Sequence, residues 1–200
     1  AVLGFVSIFF LSATALILND YFDYDIDLVN APERPLPSGQ VRKRDALLLS
    51  VAVAALGFIA AAGINLAALV TAFAVWLLGV AYNARFKRTG LPGNLMVAVS
   101  VGMTFVFGGI AVGRIEEPLV WWFGLLAMLF DLGEEIAADA MDAEGDRRAG
   151  SRSLAIVIGV RNALRVSAVV FAAVVCVSLL PFVLDWLAPI YLIPMLLMDI

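Results

Sequence analysis

Long apolar runs separated by short polar segments dominate the chain. About seven stretches approach the roughly 20 apolar residues that cross a hydrocarbon core: 1–18, 46–62, 65–83, 94–113, 118–138, 162–183 and 187–198. They predict an all-α fold, a polytopic transmembrane helix bundle. The links near 63–65, 113–118 and 184–187 are a few residues each, so successive spans are expected as antiparallel hairpins, with the longer polar segments 19–45, 84–93 and 139–161 on the opposite side. The first run starts at Ala1 without a charged leader and passes into polar sequence with no small-residue cleavage pattern, which argues against a signal peptide. The last run reaches only about a dozen residues. The expectation is one transmembrane domain over residues 1–200, trimmed at both ends. Gly109 and Gly113, four apart, are expected to mark close helix packing.

Composition narrows this further. The chain is 63% hydrophobic and 15% charged, against about 25% charged in ordinary soluble domains. A net charge of −4 argues against nucleic acid as a partner. The absence of histidine excludes histidine-ligated haem, histidine-containing zinc sites and a Ser-His-Asp hydrolase. Cys176, the lone cysteine, is expected to act as a small buried hydrophobe. The three longer polar segments, with Arg165 at a span end, hold 12 of the 13 basic residues, leaving Arg114 alone opposite. The positive-inside rule places them in the cytoplasm, so an integral protein of the cell membrane with a cytoplasm-facing site is expected.

Two acidic clusters stand at span ends on that side. If the first helix continues, Asn19, Asp23 and Asp27 fall within an arc of about 80°, with Asp20 at its edge and Asp25 pointing elsewhere. An EF-hand fails here, because Leu28 and Arg34 stand where glycine and a bidentate glutamate are needed. In the second cluster Glu135, Asp139, Asp142 and Asp146 share an arc of about 60°, Asp131 extends the column toward the membrane interior, and Glu144 lies opposite. Like charges stacked on one face repel unless a cation lies between them. Separate carboxylate columns suit a pair of Mg²⁺ ions, since magnesium takes one or two carboxylates and completes its shell with water and phosphate oxygens. Two columns on one side also hint at two related halves facing one cavity. Arg34, Lys87 and Arg88 are expected to bind phosphate, whereas Arg42, Lys43, Arg44, Arg161 and Arg165 serve equally well as positive-inside anchors.

These motifs resemble the UbiA superfamily of intramembrane prenyltransferases. Asn19, Asp20, Asp23 and Asp27 match the family's Asn-Asp-x-x-Asp-x-x-x-Asp, and Arg34-Pro35-Leu36-Pro37-Ser38-Gly39 its continuation. Asp142 and Asp146 match Asp-x-x-x-Asp, followed by Gly150-Ser151-Arg152-Ser153-Leu154, and Tyr82 through Arg88 is similar to the family's tyrosine-plus-basic loop. The resemblance implies nine helices in the full protein, with about seven present here and the first and last missing. It implies Mg²⁺-dependent transfer from a prenyl diphosphate, with Asn19, Asp20, Asp23, Asp27, Asp142 and Asp146 holding metal. By the same likeness Arg34, Lys87, Arg88 and Arg152 would hold diphosphate, and Tyr82 would line the substrate site. Glu135 and Asp139 are local to this sequence and are expected to support the ligands or face the acceptor. The rings of Tyr21, Phe22, Tyr24 and Tyr82 could shield an allylic cation, although Tyr21 and Tyr24 fit an interfacial belt equally well.

The flanks most resemble the archaeal digeranylgeranylglyceryl phosphate synthases. That ranks geranylgeranyl diphosphate as donor and a geranylgeranylglyceryl phosphate lipid as acceptor first. Aromatic acceptors of the 4-hydroxybenzoate, quinone or chlorophyll type come second. A cation-coupled transporter is a remote rival, because its site would lie near the midplane on broken helices.

Overall fold

The computed structural model describes residues 1–148 and 150–198; the side chains of Asp146, Arg148, Met195, Leu196 and Met198 fall outside the description. Helices account for the fold, and no strand occurs among the described residues. They are α1 (Val2–Phe22), α2 (Tyr24–Asn30), α3 (Lys43–Ala62), α4 (Leu66–Ala81), α5 (Leu91–Ala111), α6 (Pro118–Met141), α7 (Ala143–Arg148), α8 (Leu154–Ile158), α9 (Val160–Ser178), α10 (Leu180–Val183) and α11 (Leu192–Met198), with a π turn at Tyr82–Phe86 and a 3₁₀ turn at Pro189–Tyr191. Among the described residues five helical segments are long and apolar enough to cross a membrane: Val2–Phe22, Lys43–Ala62, Leu66–Phe86, Leu91–Ala111 and Val160–Val183. The chain is an integral membrane protein. Helix α6 is as long as these but carries Asp131, Glu134, Glu135 and Asp139. The stretch expected to span at 187–198 instead folds as the 3₁₀ turn and the seven-residue α11.

The chain divides into two compact units, Ala1–Phe86 with Phe107–Arg114, and Lys87–Val106 with Ile115–Ile200, the division falling within α5. In the first, α1 lies along α3. The residues α1 buries, Gly4, Ser7, Thr14 and Leu18, recur at helical spacing on one face, with Gly4 against Ala111 and Phe107, and α3 buries Ala46, Ser50, Ala54, Gly57, Ala60 and Ala61. Small residues let two backbones approach where lipid supplies no hydrophobic drive between helices. A side chain added at Gly57 would meet Leu11 Cγ at 2.7 Å. Asn65 caps α4, its Oδ1 accepting from the Ala68 N–H at 2.8 Å.

The second unit is organised around α6 and α9. Ile136, Ala140, Ala143, Ala155 and Ala163 form its buried core. Trp122 Nε1 donates to the Val177 carbonyl at 2.9 Å and Ser167 Oγ to the Gly133 carbonyl at 2.7 Å, tying the helices at two levels. Pro118 opens α6 at a position where the absent N–H costs nothing.

Two sequence expectations are corrected here. Gly113 is a cap rather than a packing glycine: its φ is +69° with nothing near its missing Cβ, and the Arg114 N–H reaches back to the Gly109 carbonyl at 2.7 Å to close α5. The close approach belongs to Gly102 on α5 and Gly124 on α6, where a Cβ on Gly102 would lie 2.6 Å from the Gly124 carbonyl oxygen. Gly102→Ala is therefore expected to cost about 1 kcal/mol by forcing the helices apart, read as a lower melting temperature in detergent; an unchanged value would contradict the close approach. Cys176 is exposed, on the outer face of α9 beside exposed Val175, so an apolar run did not mean a buried thiol.

Candidate functional site

The first acidic motif is built where α1 gives way to α2. Asp23 stands at the junction with φ −84° and ψ 1°, a conformation between helix and turn that recurs at active sites. The uninterrupted helix expected from spacing is thus broken, but the column survives. The Asp23 N–H donates to the Asn19 carbonyl and the Asp27 N–H to the Asp23 carbonyl, each at 2.9 Å, so Asn19, Asp23 and Asp27 remain one turn apart. Asp27 is buried at 6% exposure, whereas Asp25 is exposed, as its angular position predicts. Arg34 reaches back from the loop after α2. Its Nη1 lies 2.8 Å from Asp27 Oδ2 and 3.3 Å from Asp20 Oδ1. The hydrogen bond and charge of Asp27, with Asp20 and Asp23 beyond, hold the Arg34 guanidinium above its ordinary pKa. A cation expected to grip phosphate here sits between carboxylates of the column.

Two more contacts complete this region. Asn19 Nδ2 donates to Asn83 Oδ1 at 3.0 Å, joining the end of α1 to the π turn that Tyr82 begins. Lys43 Nζ lies 4.1 Å from the ring centroid of Tyr24 and 5.2 Å from that of Tyr21, across the helix break. Both tyrosine rings thus face Lys43, a lysine expected from sequence to serve equally well as an anchor.

In the second unit the pattern repeats. Helix α6 ends at Met141, and Asp142 takes φ −93° and ψ 8° before α7, with its N–H bonded to the Ala138 carbonyl. Each motif therefore places an aspartate at the break between a long helix and a short one. The break also interrupts the expected three-turn column. Glu135 and Asp139 stand on α6 and Asp142 at its end, while the Asp146 side chain lies outside the described residues. Asn94, buried near the start of α5, donates from Nδ2 to Asp139 Oδ2 at 2.9 Å. Glu144 is exposed, with Arg147 Nη1 at 3.8 Å. The basic residues are drawn together through backbone: the Arg152 N–H donates to the Arg88 carbonyl at 2.9 Å, and Gly90 packs directly against Arg152 and Ser153.

The donor chemistry fits magnesium. Asn19, Asp20, Asp23 and Asp27 offer oxygen ligands, and a guanidinium already bridges two of the carboxylates. Among the described residues no three acidic side chains converge into a closed cage. Magnesium needs none, since water and substrate oxygens complete its octahedron.

Residues 1–199 match the family described as UbiA prenyltransferase. The chain belongs to that family. It is 36% identical over 181 residues to a digeranylgeranylglyceryl phosphate synthase of Thermococcus sibiricus, covering 90% of this chain and 64% of that protein, so it spans under two thirds of that relative's length. A solved structure described as digeranylgeranylglyceryl phosphate synthase in membranes is similar with a TM-score of 0.86 and 33% identity, over 99% of this chain and 70% of that one. A UbiA homologue from Archaeoglobus fulgidus bound to DMAPP and Mg²⁺ has a TM-score of 0.74 and 26% identity, over 88% of this chain and 64% of that one. The fold is thus UbiA-like, an all-α polytopic bundle.

Within this family frame the sequence reading missed Asn83, Asn94 and Gly90. The two asparagines were legible as amides interrupting apolar runs, which demand partners when buried. Gly90 carried only the general turn signal of a Thr-Gly pair before a span.

Proposed function

We propose that this chain is part of a Mg²⁺-dependent enzyme that transfers a prenyl group, geranylgeranyl, from its diphosphate to a geranylgeranylglyceryl phosphate lipid. The observation that carries the reading is the oxygen-donor column of Asn19, Asp20, Asp23 and Asp27 with a cation seated between Asp20 and Asp27, in a chain of a prenyltransferase family. Relatives named for ether-lipid synthesis favour that acceptor, and the homologue bound to DMAPP and Mg²⁺ favours the donor class and the metal. A family of prenyltransferases leaves no support for the transporter reading.

The metal ligands in this reading are Asn19, Asp20, Asp23 and Asp27, with Asp142 and Asp146 as the second set. Bound Mg²⁺ would supply the positive charge that stabilises diphosphate as it leaves the allylic carbon. Lys87, Arg88 and Arg152 bind diphosphate oxygens, and Tyr82 lines the substrate site. Arg34, paired with Asp20 and Asp27, is placed to meet diphosphate oxygens beside that column. Glu135 and Asp139 are assigned to the acceptor side, where a carboxylate oxygen takes the hydroxyl proton; the Asn94 amide fixes the Asp139 carboxylate for that task. The site faces the cytoplasm from the cell membrane, as the 12 of 13 basic residues on one side support. The residues form a single transmembrane prenyltransferase domain in the whole protein.

The test is a panel of acceptors assayed with radiolabelled geranylgeranyl diphosphate and the purified full-length protein. Magnesium-dependent release of diphosphate with geranylgeranylglyceryl phosphate is expected, with little from 4-hydroxybenzoate or a chlorophyll precursor. Preference for an aromatic or pigment acceptor would transfer the assignment to that branch. No release with any acceptor would overturn it.

A further inference from the structure

Asn83 has no role in the reading above, yet its amide makes two bonds that together determine a third orientation. It is the second residue of the π turn, a rare geometry that clusters at functional sites. Its Nδ2 donates to the Gly79 carbonyl at 3.1 Å, and its Oδ1 accepts from Asn19 Nδ2 at 3.0 Å. A backbone carbonyl can only accept, so the Asn83 atom facing Gly79 must be nitrogen. The atom facing Asn19 is then oxygen, and Asn19 must offer its own nitrogen in return. The two heteroatoms of a carboxamide diverge from one carbon, so this turns Asn19 Oδ1 away from Asn83. One main-chain carbonyl thereby dictates, through two amides, which atom Asn19 presents on its far side.

For a metal ligand that choice decides function, because an amide oxygen coordinates Mg²⁺ and an amide NH₂ cannot. The neighbouring aspartates have no such requirement, since both of their outer atoms are oxygens. We propose that Asn83 is a positioning residue that holds Asn19 with its oxygen turned to magnesium. This rests on the magnesium reading above and extends it to a residue outside the metal motifs. It parallels the way outer groups orient metal-bound side chains, where removing the outer partner commonly weakens metal binding about 10–100-fold.

The experiment is a titration of Mn²⁺, as a paramagnetic stand-in for Mg²⁺, into the purified full-length protein with and without inorganic pyrophosphate, followed by electron paramagnetic resonance. Asn83→Ala is expected to weaken Mn²⁺ binding about 10–100-fold. The half-saturating Mg²⁺ for transfer should rise in step, while kcat at saturating Mg²⁺ stays within a few-fold. In an Asn19→Asp background the same Asn83→Ala change should alter Mn²⁺ affinity by less than about twofold, because either carboxylate oxygen can then coordinate. Equal losses in both backgrounds would mean that Asn83 merely packs α1 against the π turn, and an unchanged affinity in Asn83→Ala would also overturn the proposal. If Asn83→Ala does not fold, Asn83→Leu, similar in size and without polar atoms, is read by the same criteria. A protein with Asn19 and Asn83 intact that binds no Mn²⁺ under either condition would overturn the magnesium reading itself.

Discussion

Asp23→Ala is expected to lower prenyl transfer by roughly 10²–10³-fold or more while leaving the helices folded. The backbone gives the reason for the second half of that statement. With φ −84° and ψ 1°, Asp23 sits in a region open to alanine, and the bonds that hold the junction are made by its main-chain N–H and carbonyl, which the substitution keeps. The side chain contributes charge to the column rather than a cap: Asp23 makes no side-chain cap bond at the start of α2. Loss of activity with an unchanged circular dichroism spectrum and melting temperature is thus the signature of a missing ligand. Asp25→Ala supplies the contrast. Two residues away and equally acidic, Asp25 points off the column and is exposed, so its removal should leave transfer within a few-fold of normal. Equal effects at the two positions, or near-normal transfer by Asp23→Ala, would sink the column as a metal site.

That contrast also shows how far the chain could be read before its structure. Periodicity separated Asp25 from Asp23 and Asp27, because angular position on a helix is local arithmetic. The spans were legible for a similar reason, since an uninterrupted apolar run has few alternatives to a helix in lipid. What escaped was the break at Asp23 and again at Asp142, where no glycine or proline announces an interruption. In each case a turn of one-residue irregularity is imposed while bonding four residues back continues at the junction, so spacing alone yields a continuous column. Packing was misplaced in an instructive way. Gly113, which a spacing rule within one helix marked for packing, caps that helix instead, while Gly102 and Gly124 approach closely on different helices, where no rule on a single segment can see it. The amides were similar: half-buried Asn83 and buried Asn94 had to find partners, but only the fold says that these include Asn19 and Asp139. Arg34 was singled out as a phosphate-binding cation, and its seat between Asp20 and Asp27 follows from the same like-charge repulsion that marked the column.

Gly90→Ala should produce the largest effect of any single methyl added to this chain. Two penalties coincide there. Gly90 has φ +73°, a left-handed conformation that costs an L side chain about 1–2 kcal/mol. Its Cβ would also run into the carbonyl of Arg152 and lie 3.1 Å from the Ser153 Cα, so main chain must move. The segment displaced is the one whose Arg88 carbonyl accepts from the Arg152 N–H, and both arginines are assigned to diphosphate. We therefore expect the melting temperature to fall by about 5 °C or more and KM for geranylgeranyl diphosphate to rise about tenfold, as two charge-assisted contacts lose their spacing, with kcat changed less. Gly39→Ala separates the two causes. Gly39 has φ +77° but nothing within 4 Å of its missing Cβ, so it carries the conformational penalty alone and should lower the melting temperature by less. If the two variants lose stability equally and KM for the diphosphate does not rise in Gly90→Ala, the backbone seam between the Arg88 loop and Arg152 has no part in holding the substrate.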